Sequence, residues 1–98
     1  MKVDMQRDGH KLWIGVTGQL DAATSPQFEK QVRENIDGVE ELVLDLAKTE
    51  YLSSAGLRAV LYTQKTMNEQ GSMKVIHVSQ SIMDIFVVTG FNGILTFE

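Results

Sequence analysis

The succession of two patterns in residues 42–61, LVLDLAKTEYLSSAGLRAVL, limits what this chain can fold into more than any other feature. Leu42-Val43-Leu44-Asp45-Leu46 is too short for a helix and too continuously apolar for a strand with one wet face. It is expected to be an inner strand, parallel to its neighbours. A polar bend follows, then a short strand, Thr49-Glu50-Tyr51-Leu52. Ser53 and Ser54 next open an amphipathic helix, expected from about Ser54 to Gln70. Leu57, Val60, Leu61, Gln64 and Met67 share one side of it, while Arg58, Lys65 and Glu69 lie largely outside. Gly71 is the expected stop. A strand that runs straight into a helix commits the chain to α/β packing, because the helix must bury its apolar stripe on the sheet.

The flanking segments extend the same plan. Val3 and Met5 alternate with polar residues, and so do Leu12, Ile14 and Val16, with Trp13, Gly15 and Thr17 on the opposite face. Asp8-Gly9 between them signals an antiparallel hairpin. Ser25 followed by Pro26 reads as a helix N-cap with proline at the first helical position. Phe28, Val32 and Ile36 give that helix a core-facing stripe, and Gly38 lies just past its end. Met73 to Val78 is expected to be a strand, and Ser79 or Ser81 the cap of a third helix ending near Gly90. Ile82, Ile85, Phe86 and Thr89 form its inner face, leaving Met83 and Val87 outside, where a self-association patch is their alternative use. Ile94 to Phe97 is a short last strand. The expected class is therefore α/β, in the order ββαβαβαβ. Its sheet is mixed but mostly parallel, with an N-terminal antiparallel hairpin and helices packed on it. With 98 residues, the chain is expected to form a single domain over 1–98.

Composition removes several function classes. With no cysteine there is no disulfide framework, thiolate metal site or thiol nucleophile. The first residues, MKVDMQRD, lack the apolar core of a signal peptide, and no stretch approaches the roughly 18 apolar residues of a membrane span. The expectation is a soluble, cytoplasmic protein. A net charge of −4, with no run of three basic residues, argues against direct contact with nucleic acid. No P-loop, HExxH, GxSxG or GxGxxG motif is present. His10 falls in the hairpin turn and His77 near a strand end, so neither has a partner ligand close in sequence. Asp45 stands in the C-terminal half of an inner strand, where α/β sheets place binding groups, or else is hydrogen-bonded to a nearby loop. Asp21, after the second strand, caps its own turn. Nothing assembles a nucleophile, a base and an oxyanion hole, so no catalytic residue, metal or cofactor is expected.

Ser53 and Ser54 remain. At a helix N-terminus the backbone N–H groups point outward and the macrodipole favours added negative charge. A hydroxyl there either caps the helix or receives a phosphate that a partner reads. Both this junction and the loop at Asp21, Thr24 and Ser25 follow C-terminal strand ends, which puts them on one rim of the sheet.

Four segments in register resemble the STAS domain of bacterial anti-sigma-factor antagonists. They are Gly18-x-Leu20-Asp21, Leu42-Val-Leu-Asp-Leu, Tyr51-Leu-Ser-Ser-Ala-Gly-Leu and Thr89-Gly90-Phe91. The resemblance covers essentially the whole chain and implies the STAS fold. It further implies an antagonist that binds an anti-sigma factor, itself a serine kinase, and so releases a sigma factor. Phosphorylation of Ser54 would then switch the antagonist off, with Ser53 the alternative acceptor. Two positions depart from the family's D-S-S-G pattern: Ser53 replaces the acid and Ala55 the second serine. The implied docking surface is Asp21, Thr24, Ser25, Ser53, Ser54, Ala55, Gly56 and Arg58. The other function such a resemblance allows is a STAS scaffold that is never phosphorylated, an adaptor subunit of a transporter or signalling complex.

Overall fold

The computed structural model describes residues 1–98. Its sheet has four strands in the order β1-β2-β3-β4: β1 (Lys2–Asp8), β2 (Lys11–Leu20), β3 (Glu41–Leu52) and β4 (Ser72–Ile76). β1 and β2 are antiparallel, joined through Gly9, whose φ of 61° supplies the left-handed residue that a tight hairpin needs. β2, β3 and β4 are parallel and are linked by α1 (Ser25–Asn35) and α2 (Ser54–Gln70). α3 (Gln80–Val88) and a 3₁₀ turn, Phe91–Gly93, complete the chain. Right-handed crossovers that step in one direction along a sheet place their helices on one face. The burial pattern agrees. Leu12, Ile14 and Val16 of β2, Leu42, Leu44 and Leu46 of β3, and Met73 and Val75 of β4 all join one buried cluster with Phe28, Val32, Val60, Met67, Ile82 and Phe86 of the helices. The other face carries Trp13, Asp45 and Lys74, each partly exposed. Trp13 lies over Gly15 there: a side chain at Gly15 would meet the indole Cζ2 at 2.8 Å.

Several local expectations are corrected. The polar bend after Leu46 does not end the strand, and β3 runs unbroken for 12 residues. Its register against β2 slips twice, from Gly15↔Asp45 to Thr17↔Lys48 and from Gly18↔Thr49 to Gln19↔Tyr51. Each slip is a bulge that absorbs one extra residue of β3. The buried positions after Leu46 are consequently Thr49 and Leu52, three residues apart rather than two.

Ser25 is not the N-cap of α1 but its first residue, and Thr24 takes the boundary position. The reason is the turn before it: the Asp21 carbonyl already accepts the Ser25 N–H at 2.8 Å, an i→i−4 bond that starts the helix one residue early. Ser25 itself is only 5% exposed.

β4 stops at Ile76 rather than Val78, because His77 adopts φ 57° and turns the chain out of the strand. The expected final strand shrinks to one parallel bridge, Val75↔Phe97, since the 3₁₀ turn uses up the preceding residues and Leu95 inserts into the core. On α3, Met83 turns partly inward while Val87 stays exposed, so the two do not form an exposed pair.

Candidate functional site

Two chain junctions meet at the C-terminal ends of β2 and β3. The first, between β2 and α1, is organised by Asp21. Its Oδ1 accepts the backbone N–H groups of Ala23 at 2.9 Å and Thr24 at 3.1 Å, a self-capped turn. The Thr24 hydroxyl donates to the Gln19 carbonyl at 2.9 Å and accepts the Asp21 N–H at 2.9 Å. The Thr24 N–H is the main cause that holds the Asp21 carboxyl below its ordinary range, so the turn carries a fixed negative charge.

The second junction joins β3 to α2. Ser53 is the N-cap, with extended backbone, and its hydroxyl accepts the Gly56 N–H at 3.3 Å. Its carbonyl accepts the Leu57 N–H at 2.8 Å. Ser54, the first helical residue, is exposed, and its hydroxyl makes no hydrogen bond within the chain. The cap and the free hydroxyl are thus divided between adjacent residues.

The junctions are locked together at their bases. The Ser53 N–H donates to the Leu20 carbonyl at 3.0 Å. A β-carbon at Gly56 would collide with the Leu20 carbonyl oxygen and stand 3.0 Å from its carbon. Gly56 is buried by this approach of α2 to β2, so its missing side chain serves packing inside the chain rather than access from outside.

The expected docking residues separate accordingly. Asp21, Thr24, Ser53, Ser54, Ala55 and Arg58 keep partly or fully exposed side chains at or next to the two junctions. Ser25 and Gly56 are buried beneath them and present nothing to a partner. Arg58 lies one turn beyond Ser54 and forms no ion pair. The first turn of α2 contains no acidic residue, so the field of the helix N-terminus is not offset there by a helical carboxylate. Tyr51, 50% exposed on the last turn of β3 before the serines, belongs to the same rim and is absent from the sequence expectation. An aromatic residue between Glu50 and Leu52, two positions before a helix cap, is the signal that marks it.

Asp45 forms a different cluster, on the face of the sheet without helices. Oδ1 accepts the Ala47 N–H at 2.9 Å and lies 3.0 Å from His77 Nδ1, while Oδ2 accepts the Trp13 indole N–H at 3.3 Å. Burial alone would raise this carboxyl. The Ala47 N–H, His77 and Trp13 outweigh it and hold the group below its ordinary range. Of its three partners, His77 lies in the loop after β4, the contact that the loop-bonded reading of the sequence expects, while Trp13 and Ala47 belong to β2 and β3. His10 is likewise used internally, with Nδ1 3.0 Å from the Gly38 carbonyl. No helix is long and apolar enough to cross a membrane.

A relative from Bordetella bronchiseptica, BtrV, named as a candidate anti-sigma factor antagonist, is 31% identical over 96 residues, covering 96% of this chain and 83% of its own. The crystal structure of an anti-sigma factor antagonist from Mycobacterium paratuberculosis superposes with a TM-score of 0.88 at 21% identity, over 98% of this chain and 83% of that one. The Bacillus cell fate determinant SpoIIAA in its phosphorylated form gives a TM-score of 0.77 at 15% identity, covering 99% and 91% of the two chains. The sequence profile of the STAS domain matches residues 2–98, and this chain belongs to that family.

Proposed function

We propose that this protein is an anti-sigma-factor antagonist. It docks, through the rim formed by the Asp21 turn and the start of α2, on an anti-sigma factor with serine-kinase activity, and so frees a sigma factor in the cytoplasm. Phosphorylation of Ser54 ends the docking. The observation that carries this reading is the division of labour between the two serines: Ser53 caps the helix, while the Ser54 hydroxyl stands exposed and unbonded. The named function of BtrV supports the class of activity, and SpoIIAA shows that a protein of the same fold carries a phosphate.

The physics of the switch follows from position. A phosphate adds about 1.5–2 negative charges at neutral pH. On Ser54 that charge meets the unpaired N–H groups of the α2 N-terminus, so the free protein tolerates it. In a packed interface the same group must be desolvated and accommodated. A loss of only about 2.8 kcal/mol of binding weakens docking roughly a hundredfold.

Incubation with a serine-kinase anti-sigma factor and ATP, followed by mass spectrometry of wild type, Ser53→Ala and Ser54→Ala, tests the assignment. Modification is expected in the first two and lost in the third. Equal modification of Ser54→Ala rejects the site. Tight binding of the anti-sigma factor by Ser54→Asp, matching wild type, rejects the switch.

A further inference from the structure

The two edges of the sheet are treated differently. Along β4 the chain covers its own edge: the Val75 N–H donates to the Thr96 carbonyl at 2.8 Å and the Glu98 N–H to the Val75 carbonyl at 3.0 Å. Nothing pairs with the outer edge of β1. The hairpin fixes which of its groups are left over. A two-residue turn at Gly9-His10 closes on Asp8↔Lys11 as a hydrogen-bonded pair, and the unbroken register carries the alternation back to Lys2↔Thr17. The even-numbered residues of β1 therefore bond to β2. Val3, Met5 and Arg7 direct their N–H and C=O groups outward. The Arg7 side chain does not block them, because it folds back onto the carbonyls of Asn35 at 3.1 Å and Asp37 at 2.9 Å.

We infer that this edge pairs with β1 of a second copy of the chain, antiparallel about a two-fold axis at Met5, joining two four-stranded sheets into one. In this register Met5 faces Met5, and Val3 faces Arg7 of the second copy. All three outward pairs then complete both of their backbone hydrogen bonds. On the face without helices, Lys2 falls opposite Asp8 of the second copy, and Asp4 opposite Gln6, with the Lys2–Asp8 pair repeated by symmetry. On the helix face, the half-buried Val3 and Met5 of each copy, which already pack against the core, cover one another.

Neighbouring registers are worse on this sequence. A slide of one residue pairs outward-directed with inward-directed backbone and exchanges the faces. A slide of two places Asp4 opposite Asp4 or opposite Asp8, where like charges repel. Lys2 lies 3.8 Å from Asp4 of its own strand, a loose exposed pair that leaves its ammonium free to reach across. Charge complementarity at both ends of a bare seven-residue edge thus selects the chain itself as occupant and fixes the alignment.

Sedimentation velocity of the full chain over a concentration series, on wild type, Lys2→Glu, Asp8→Lys, the double variant and Met5→Pro, tests this pairing. Wild type is expected to dimerise. Each single charge variant should weaken the dimer about tenfold by setting like charges opposite each other. The double variant restores opposite charges and recovers wild-type association. Met5→Pro should abolish it without unfolding the monomer, because the deleted N–H points outward; circular dichroism melts check the fold of every variant. A wild type that stays monomeric throughout, leaving the edge to an extended segment of another protein, overturns the inference. So does a dimer that survives Met5→Pro, or a double variant that remains as weak as the single ones.

Discussion

Asp45 illustrates how one side chain organises structure without belonging to the proposed docking rim. Its carboxylate ties the indole of Trp13 to the middle of β3 and holds His77, the only non-glycine residue with positive φ, at the end of β4. A left-handed backbone at a residue with a β-carbon is strained and persists only when its surroundings fix it. Because the folded state holds the Asp45 carboxyl below its ordinary value of 3.8, its contribution is complete at neutral pH. That contribution is lost as pH falls through the depressed folded value. Asp45→Asn is therefore expected to cost about 1–2 kcal/mol near neutrality, where charge-assisted hydrogen bonds are removed. The difference from wild type should vanish in acid. Urea titrations of both proteins over a pH series provide the check; a difference that stays constant into acid contradicts the role given to the ionised carboxylate.

Among the elements, α2 is the one most completely written in local sequence. A serine cap, an amphipathic stripe and a closing glycine bound it, and its observed limits, Ser54 and Gln70, match the expectation. The hairpin is equally local. What stayed illegible depends on partners distant in the chain. The bulges of β3 arise from its register against β2, so the run from Leu42 to Leu52 looks interrupted until both strands are in place. The start of α1 turns on a backbone carbonyl, at Asp21, which no side-chain rule for capping reveals. The exposed Ser54 was readable from the cap pattern and the family resemblance together. Gly56 was legible only as a choice between close approach by a partner and close helix–sheet packing, and how closely α2 crosses the end of β2 favours packing. That crossing gives a test. Gly56→Ala places a methyl group against the Leu20 carbonyl and is expected to destabilise the fold by about 1–3 kcal/mol, outweighing alanine's better helix propensity. Chemical denaturation measures it, and an unchanged or increased stability would return Gly56 to the outer surface as a contact residue.

At the scale of the whole molecule, the proposed switch requires that charge at Ser54 change what the protein binds while leaving the protein folded. The architecture allows these to be separated. The hydroxyl projects from the first turn of a 17-residue helix whose buried residues begin only at Gly56, so added charge reaches solvent and the helix end before it reaches the core. The first turn has no acidic residue to repel it, and Arg58 stands one turn away without an ion pair. Ser54→Asp should accordingly stabilise the isolated protein by about 0.3–1 kcal/mol at low ionic strength. For a domain of this size that raises the melting temperature by about 1–8 °C. The gain should shrink as salt is added, because it comes from an exposed charge and a helix field. Thermal melts at low and high salt measure both quantities. A lowered melting temperature would mean that the acceptor position is coupled to the core, and loss of partner binding in Ser54→Asp would then report unfolding rather than an altered surface. A raised, salt-sensitive one assigns any loss of binding to the interface alone, which is the property a reversible phosphate switch must have.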